Sequence, residues 1–153
     1  MSIKTYIKRV LKFIFHGLPV INLKAEVVSV SESELLLNRT ALITGGTSGI
    51  GFAIAEAFLK AGANVIITGR NQGRIDNAVS SLRKGSLKSN ISGIVLNNSN
   101  IRDTTEILLS LLENNSIDIL VNNAGINGGN LKCCSDEEYQ SIMDTNLKGA
   151  VFI

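Results

Sequence analysis

The sequence predicts an α/β chain: a doubly wound parallel sheet covered by helices on both faces. Three observations point there. From Arg39 onward, short apolar runs alternate with segments of helical period. The runs are four or five residues long and rich in β-branched side chains, as strands buried on both faces must be. A glycine-rich segment lies directly between the first run and the first helix of this alternation. Strands joined by helices require right-handed crossovers, and those require a parallel sheet.

The elements follow in order. Residues 40–44, Thr-Ala-Leu-Ile-Thr, read as the first strand. Residues 49–61 read as a helix with Ile50, Ile54, Phe58 and Leu59 on one face, and Gly62 suits the position just past its end. Residues 64–68 form the second strand, and residues 71–84 a second helix stopped by Gly85. The third strand is placed at 93–96, among crowded serines and asparagines. Residues 102–113 read as a helix with Ile107, Leu108, Leu111 and Leu112 apolar, and residues 117–121 as the fourth strand. The last helix starts at Ser135, where Ser135 and Glu138 make a capping box and Asp136 and Glu137 suit the positive helix end. It runs through Ile142, Met143 and Thr145 toward Ile153. No repeat or low-complexity run interrupts residues 39–153, and the boundary with an N-terminal extension, residues 1–38, falls near Leu37 and Asn38.

Composition bounds the function. With 153 residues, 44% hydrophobic and 18% charged, the chain is globular and long enough for a core. A net charge of +2 is too small to argue for nucleic acid. No run approaches the length of about 18 apolar residues that a transmembrane helix needs. The two cysteines, Cys133 and Cys134, are adjacent. They cannot staple distant segments or make a zinc site, and they fit a reducing, cytoplasmic compartment. The basic charge is concentrated early: Lys4, Lys8, Arg9, Lys12 and Lys24 precede the first acidic residue, Glu26. Ile3, Ile7, Val10 and Ile14 recur at helical spacing, with Lys4, Lys8 and Lys12 on another face. Such a basic amphipathic helix suits packing on its own domain, a partner subunit or an anionic membrane surface. A membrane role is the less favoured of these, because one short helix binds marginally without a second signal. A secretory signal is not expected: Lys12 breaks the apolar run, and His16, Gly17 and Pro19 follow closely. The sequons at Asn38, Asn90 and Asn114 therefore carry little weight.

The strongest chemical feature is Thr44-Gly45-Gly46-Thr47-Ser48-Gly49-Ile50-Gly51, between strand and helix. A dinucleotide pyrophosphate needs close backbone, N–H donors and a helix N-terminus. Gly45 can make the tight turn, Gly49 lets backbone approach the phosphates, and Gly51 lets helix and strand pack closely. The expected architecture is therefore Rossmann-type.

The spacing Thr-Gly-x-x-x-Gly-Ile-Gly resembles the glycine segment of the short-chain dehydrogenases/reductases. Two more segments carry the resemblance: Asn122-Asn123-Ala124-Gly125 after the fourth strand, and Asp144-Thr145-Asn146-Leu147-Lys148-Gly149 in the last helix. It covers residues 39–153 and nothing before them. It implies an oxidoreductase that binds a nicotinamide dinucleotide and moves a hydride between NADP(H) and a small carbonyl or alcohol substrate. It also implies that Asn146 helps hold a water in a proton relay with a catalytic lysine, and it is compatible with a homo-oligomer when the domain is complete. Gly125 lets the chain pass close to the cofactor. Asn122 and Asn123 offer amides there, and Asn122 either contacts the cofactor or ties neighbouring strands together.

An acidic residue at the end of the second strand usually reads a free ribose hydroxyl. Here Gly69 stands in that place and Arg70 follows, a residue suited to grip a 2′-phosphate, so NADP is preferred over NAD. Ser48 supplies no second basic residue. Where the family often has an aspartate that bonds the adenine, this sequence has Asn97 and Asn98, either of which can serve.

The family's Tyr-x-x-x-Lys pair does not occur in the sequence. Tyr139 is followed four residues on by Met143, and Tyr6 by Val10. The expectation is a fragment of a longer enzyme or a split reading frame. It would have an exposed fourth-strand edge, marginal stability and no activity alone. A non-catalytic NADP(H)-binding module is the first alternative, and a membrane-surface or interaction protein acting through its basic N-terminal helix is the second.

Overall fold

The computed structural model describes residues 3–16, 31–85, 90–129 and 134–153. Cys133, Lys24 and residues 17–19 lie outside the described residues, as do the side chains of Arg9, Val10, Lys12 and Ile14.

Helix α1, Ile3–His16, comes first, followed by a short 3-10 turn at Glu32–Glu34. The alternation then runs β1 (Thr40–Ile43), α2 (Gly49–Lys60), β2 (Asn64–Gly69), α3 (Gln72–Gly85), β3 (Ile91–Val95), α4 (Ile101–Asn114) and β4 (Ile119–Val121). Helix α5, Asp136–Met143, passes through a π-helical segment, Asp144–Lys148, into α6, Gly149–Val151. The four strands are parallel in the order β3-β2-β1-β4. The chain first adds strands on one side of β1, then returns to its other side. The switch point of a Rossmann-like sheet thus falls between β1 and β4, where such sheets leave a ligand crevice at the strand carboxyl ends.

The period-two alternation of the strands sorts the core into two layers. Ile43, Val65, Ile67 and Ile91 point to one face, where Ala55 and Leu59 of α2 and Ala78 and Leu82 of α3 cover them. Leu42 and Ile66 point to the other, against Leu108 of α4 with Leu111, Ile117 and Ile153 around it. The first layer is the larger and better enclosed.

Three local differences from the sequence reading have physical causes. Strand β3 starts two residues earlier than expected, at Ile91, because Ile91 is buried in the first layer while Gly93 lies against Ile75. Leu96 lies beyond the strand end, although its N–H still bonds the Gly69 carbonyl at 2.9 Å. Strand β4 is shorter than expected because Asp118 takes over the pairing. Its carboxylate accepts from the Thr40 N–H at 2.9 Å and from the Arg39 guanidinium at 2.8 Å, while its own N–H donates to the Thr40 carbonyl. Ile50 does not join the α2 core face: it is 74% exposed at the helix start, and Gly51, Ala55 and Leu59 are the residues that α2 buries. The last helix is not uniformly α-helical, since the π-helical segment intervenes. β4 lies at the sheet edge with Leu120 exposed.

The Asp118 contacts give a pH prediction. The Thr40 N–H, then the Arg39 guanidinium, hold the Asp118 carboxyl below its ordinary value. A carboxylate with a lowered folded-state pKa contributes stability above its unfolded pKa of about 3.9 and loses it as pH falls through the folded value. The melting temperature should therefore drop on the acid side of about pH 4, and Asp118→Asn should flatten that limb. An unchanged acid limb in the variant would show that the link between Arg39, Thr40 and β4 carries no stability.

Candidate cofactor site

The site grows from the carboxyl ends of β1, β2 and β4. After Ile43 the chain turns sharply: Gly45 has φ +67° and Gly49 φ +57°, a region that L side chains rarely adopt. Nothing lies within 4 Å of where a Cβ on Gly49 would stand, so that backbone faces open space. Ser48 takes the N-cap position of α2 but its side chain makes no capping bond. Among the described residues no side chain accepts from the first-turn N–H groups of α2, which leaves them for an anion at the helix N-terminus.

Thr44 welds this turn to the segment after β4. Its buried Oγ1 accepts from the N–H groups of both Asn123 and Ala124 at 3.0 Å and donates to the Val121 carbonyl at 3.3 Å. The Asn123 amide donates in return to the carbonyls of Thr44 and Gly45, at 3.0 and 3.2 Å. A Cβ on Gly51 would collide with that amide and stand 2.5 Å from the Gly45 carbonyl oxygen. Gly51 therefore lets the start of α2 approach the turn after β1 and the segment after β4.

A crevice of about 840 Å³ opens between these segments. Its lining includes Gly45, Thr47, Ser48, Gly49, Ile50, Thr68, Arg70, Asn98, Asn123, Ala124 and Gly125, together with Arg74, Ile126 and Thr145. Most of the residues singled out from sequence are thus brought together. Of the two asparagines after β3, Asn98 lines the crevice and is buried, while Asn97 is exposed and its side chain bonds Ser99. Asn122 does not line it, and its amide donates to the Ala150 carbonyl of α6 at 3.1 Å. The tie that Asn122 makes is therefore to the last helix and not to a neighbouring strand. Asn146 makes a paired bond with one backbone unit, accepting from the Ile126 N–H at 2.8 Å and donating to the Ile126 carbonyl at 2.9 Å. It holds the loop that leaves Gly125, from the π-helical segment, 20 residues along the chain. Tyr139 is exposed and absent from the lining, and Cys134 donates to the Ser135 carbonyl.

Several lining residues escaped sequence reading, and two of them, Arg74 and Thr68, bear directly on a ligand. Arg74 joins Arg70 because Asn71 caps α3: its side-chain oxygen accepts from the Arg74 N–H at 3.0 Å. The signal available was the basic residue in the first turn after the strand end. Thr68 is buried, and its Oγ1 has no hydrogen-bond partner among the described residues. A buried hydroxyl without a partner is costly, so an unpaired one facing a crevice marks a place for a polar ligand atom.

A Rossmann-like domain with a glycine turn, an uncapped helix start and basic residues at the end of β2 defines a nucleotide-binding α/β protein. The family model for short chain dehydrogenases matches residues 39–153, and the chain belongs to that family of oxidoreductases, which bind nicotinamide dinucleotides. It is similar to human dehydrogenase/reductase SDR family member 2, mitochondrial, at 31% identity over 91% of this chain and 50% of that protein. It is also similar to the 3-oxoacyl-acyl-carrier-protein reductase FabG of Chlamydia trachomatis, at 39% identity over 78% of this chain and 48% of that protein. Among solved structures, L-sorbose reductase from Gluconobacter frateurii, complexed with NADPH and L-sorbose, superposes with a TM-score of 0.69. It shares 27% identity over 80% of this chain and 46% of that one. The chain spans about half the length of the curated relatives it matches.

Proposed function

We propose that this chain supplies the cofactor-binding half of an NADP(H)-dependent oxidoreductase acting on a carbonyl or alcohol, and that residues 1–153 alone bind the dinucleotide without turning substrate over. The carrying observation is that Arg70, directly after β2, and Arg74, in the first turn of α3, both line the crevice beside an open glycine turn. Two guanidiniums suit a 2′-phosphate, which presents a dianion to planar, bidentate donors. Gly69 stands where an acidic residue would read a free ribose hydroxyl, so the chain offers NAD no carboxylate there. The NADPH-bound L-sorbose reductase is consistent with this preference.

The residues present fit the group: an unpartnered Thr68 hydroxyl, an uncapped α2 start and a glycine turn with space in front of it. The Gly45–Gly51 segment would hold the pyrophosphate, Arg70 and Arg74 the 2′-phosphate, and Asn98 the adenine. Asn123, Ala124 and Gly125 would wall the far end, with Asn146 fixing Ile126 behind them. Bound there, the dinucleotide supplies a hydride to a carbonyl or takes one from an alcohol. The chain's own part is to bind, orient and exclude water.

The test is a titration of the chain with NADPH and with NADH, following cofactor fluorescence and melting temperature together, since a ligand that binds only the folded form raises it. NADPH should bind the more tightly. Arg70→Ala and Arg74→Ala should each weaken NADPH by about tenfold, the loss of one charge-assisted contact, and leave NADH nearly unchanged. Equal losses for both cofactors would remove the 2′-phosphate reading, and steady carbonyl reduction by residues 1–153 would remove the silent-half reading.

A further inference from the structure

Helix α1 lies outside the nucleotide-binding reading. Its 14 residues contain no acidic side chain. Ile3, Tyr6, Ile7 and Leu11 recur at helical spacing and all remain exposed, Ile3 at 78% and Tyr6 at 65%. Lys4 and Lys8 lie on the adjoining face, and the sequence spacing continues both stripes to Ile14 and Lys12. A soluble helix with its apolar stripe turned inward would bury these residues on its own domain. Here the described ones are not buried.

We propose that α1 is a membrane-surface anchor that lays its apolar stripe into the headgroup boundary of an anionic bilayer, with the lysines at the phosphate level. Three features favour lipid over other occupants. A self-paired helix would juxtapose basic faces with no acidic residue to offset them, and two heptads are short for a coiled coil. An exposed apolar stripe flanked by lysines alone is complementary to a surface that is apolar below and negative above. No described helix is long and apolar enough to cross a membrane, so α1 lies on the surface. Crowding the crevice-bearing domain against a bilayer would favour substrates dissolved in it, without any contact between α1 and the cofactor site.

The experiment is density-gradient flotation of the full chain with vesicles of phosphatidylcholine alone and with about one-third anionic phospholipid, a fraction that sets an appreciable surface potential. Aggregates sink, so only vesicle-bound chain rises. The chain should float with anionic vesicles and stay in the load with neutral ones, and raising salt from about 0.05 to about 0.5 M should release it. The double variants Lys4→Glu/Lys8→Glu and Ile7→Asn/Leu11→Asn should each reduce flotation by about tenfold or more, with a retained melting transition as the check that each variant still folds. Absence from the floated fraction with anionic vesicles overturns the proposal. So does flotation that either double variant retains. A concentration-dependent dimer that the Ile7→Asn/Leu11→Asn variant abolishes, without flotation, overturns it in favour of a second copy as the occupant.

Discussion

Gly51→Ala is expected to remove dinucleotide binding and to lower stability by about 1–3 kcal/mol, the usual cost of overpacking a closed site. The added methyl would collide with the Asn123 amide and reach 2.5 Å from the Gly45 carbonyl oxygen. Neither neighbour can retreat without loss. The amide is held by two carbonyls, and the carbonyl belongs to a turn already at φ +67°. Relief must come from pushing the start of α2 away from the segment after β4, which opens the crevice where the pyrophosphate would sit. Gly49→Ala is the control. Space there is open, so only the backbone term at φ +57° remains, about 1 kcal/mol. Its methyl would nevertheless stand where a phosphate would approach. The pair should therefore separate: both lose NADPH affinity, but Gly51→Ala loses more melting temperature. A Gly51→Ala chain that melts with the parent would mean that Asn123 moves aside freely and that the weld between the two segments is not rigid.

The contrast also shows which parts of the site are legible in sequence. Gly45, Gly49 and Gly51 stand out because strand period, turn and helix period meet there within a dozen residues, and local pattern suffices. Arg70 is legible for the same reason, following a β-branched run. What local pattern cannot see is contact between segments far apart in the chain. Asp118 looks like an interruption in an apolar run, and only its position opposite Thr40, 78 residues earlier, makes it a replacement for strand pairing. Asn146 reads as a polar residue in a helix, yet its partner is Ile126 across a loop. Asn122 and Asn123 are neighbours of one type with opposite duties, because alternate residues leave a strand on opposite sides: one ties α6, the other the glycine turn. Arg74 reaches the crevice only because Asn71 caps α3 and sets the phase of its first turn. Thr68 reads as an ordinary strand residue, and its unpaired hydroxyl becomes visible only when every neighbour is placed.

Thr44 concentrates this long-range information in one hydroxyl, and Thr44→Val should be the most damaging nearly isosteric change in the chain. Its Oγ1 serves the N–H groups of Asn123 and Ala124, both at 3.0 Å, from a position only 1% exposed. Valine keeps the shape and removes the acceptor. Two N–H groups at a part-buried junction then lose their partner, and each unsatisfied donor costs about 1–3 kcal/mol. The sum expected from urea unfolding is about 2–6 kcal/mol. That is a large share of the stability of a small domain. Thr44→Ser supplies the control, because it restores the acceptor and gives up only a methyl, at about 1 kcal/mol. Binding should follow stability for a mechanical reason. The Asn123–Gly125 wall is held to β1 by this hydroxyl, so a chain that still folds with valine would present a loosened wall and a weaker site for the dinucleotide. If Thr44→Val unfolds within about 0.5 kcal/mol of the parent, the scale of an ordinary surface change, the two N–H groups have found other acceptors. The coupling between the glycine turn and the segment after β4 would then rest on the Asn123 amide alone.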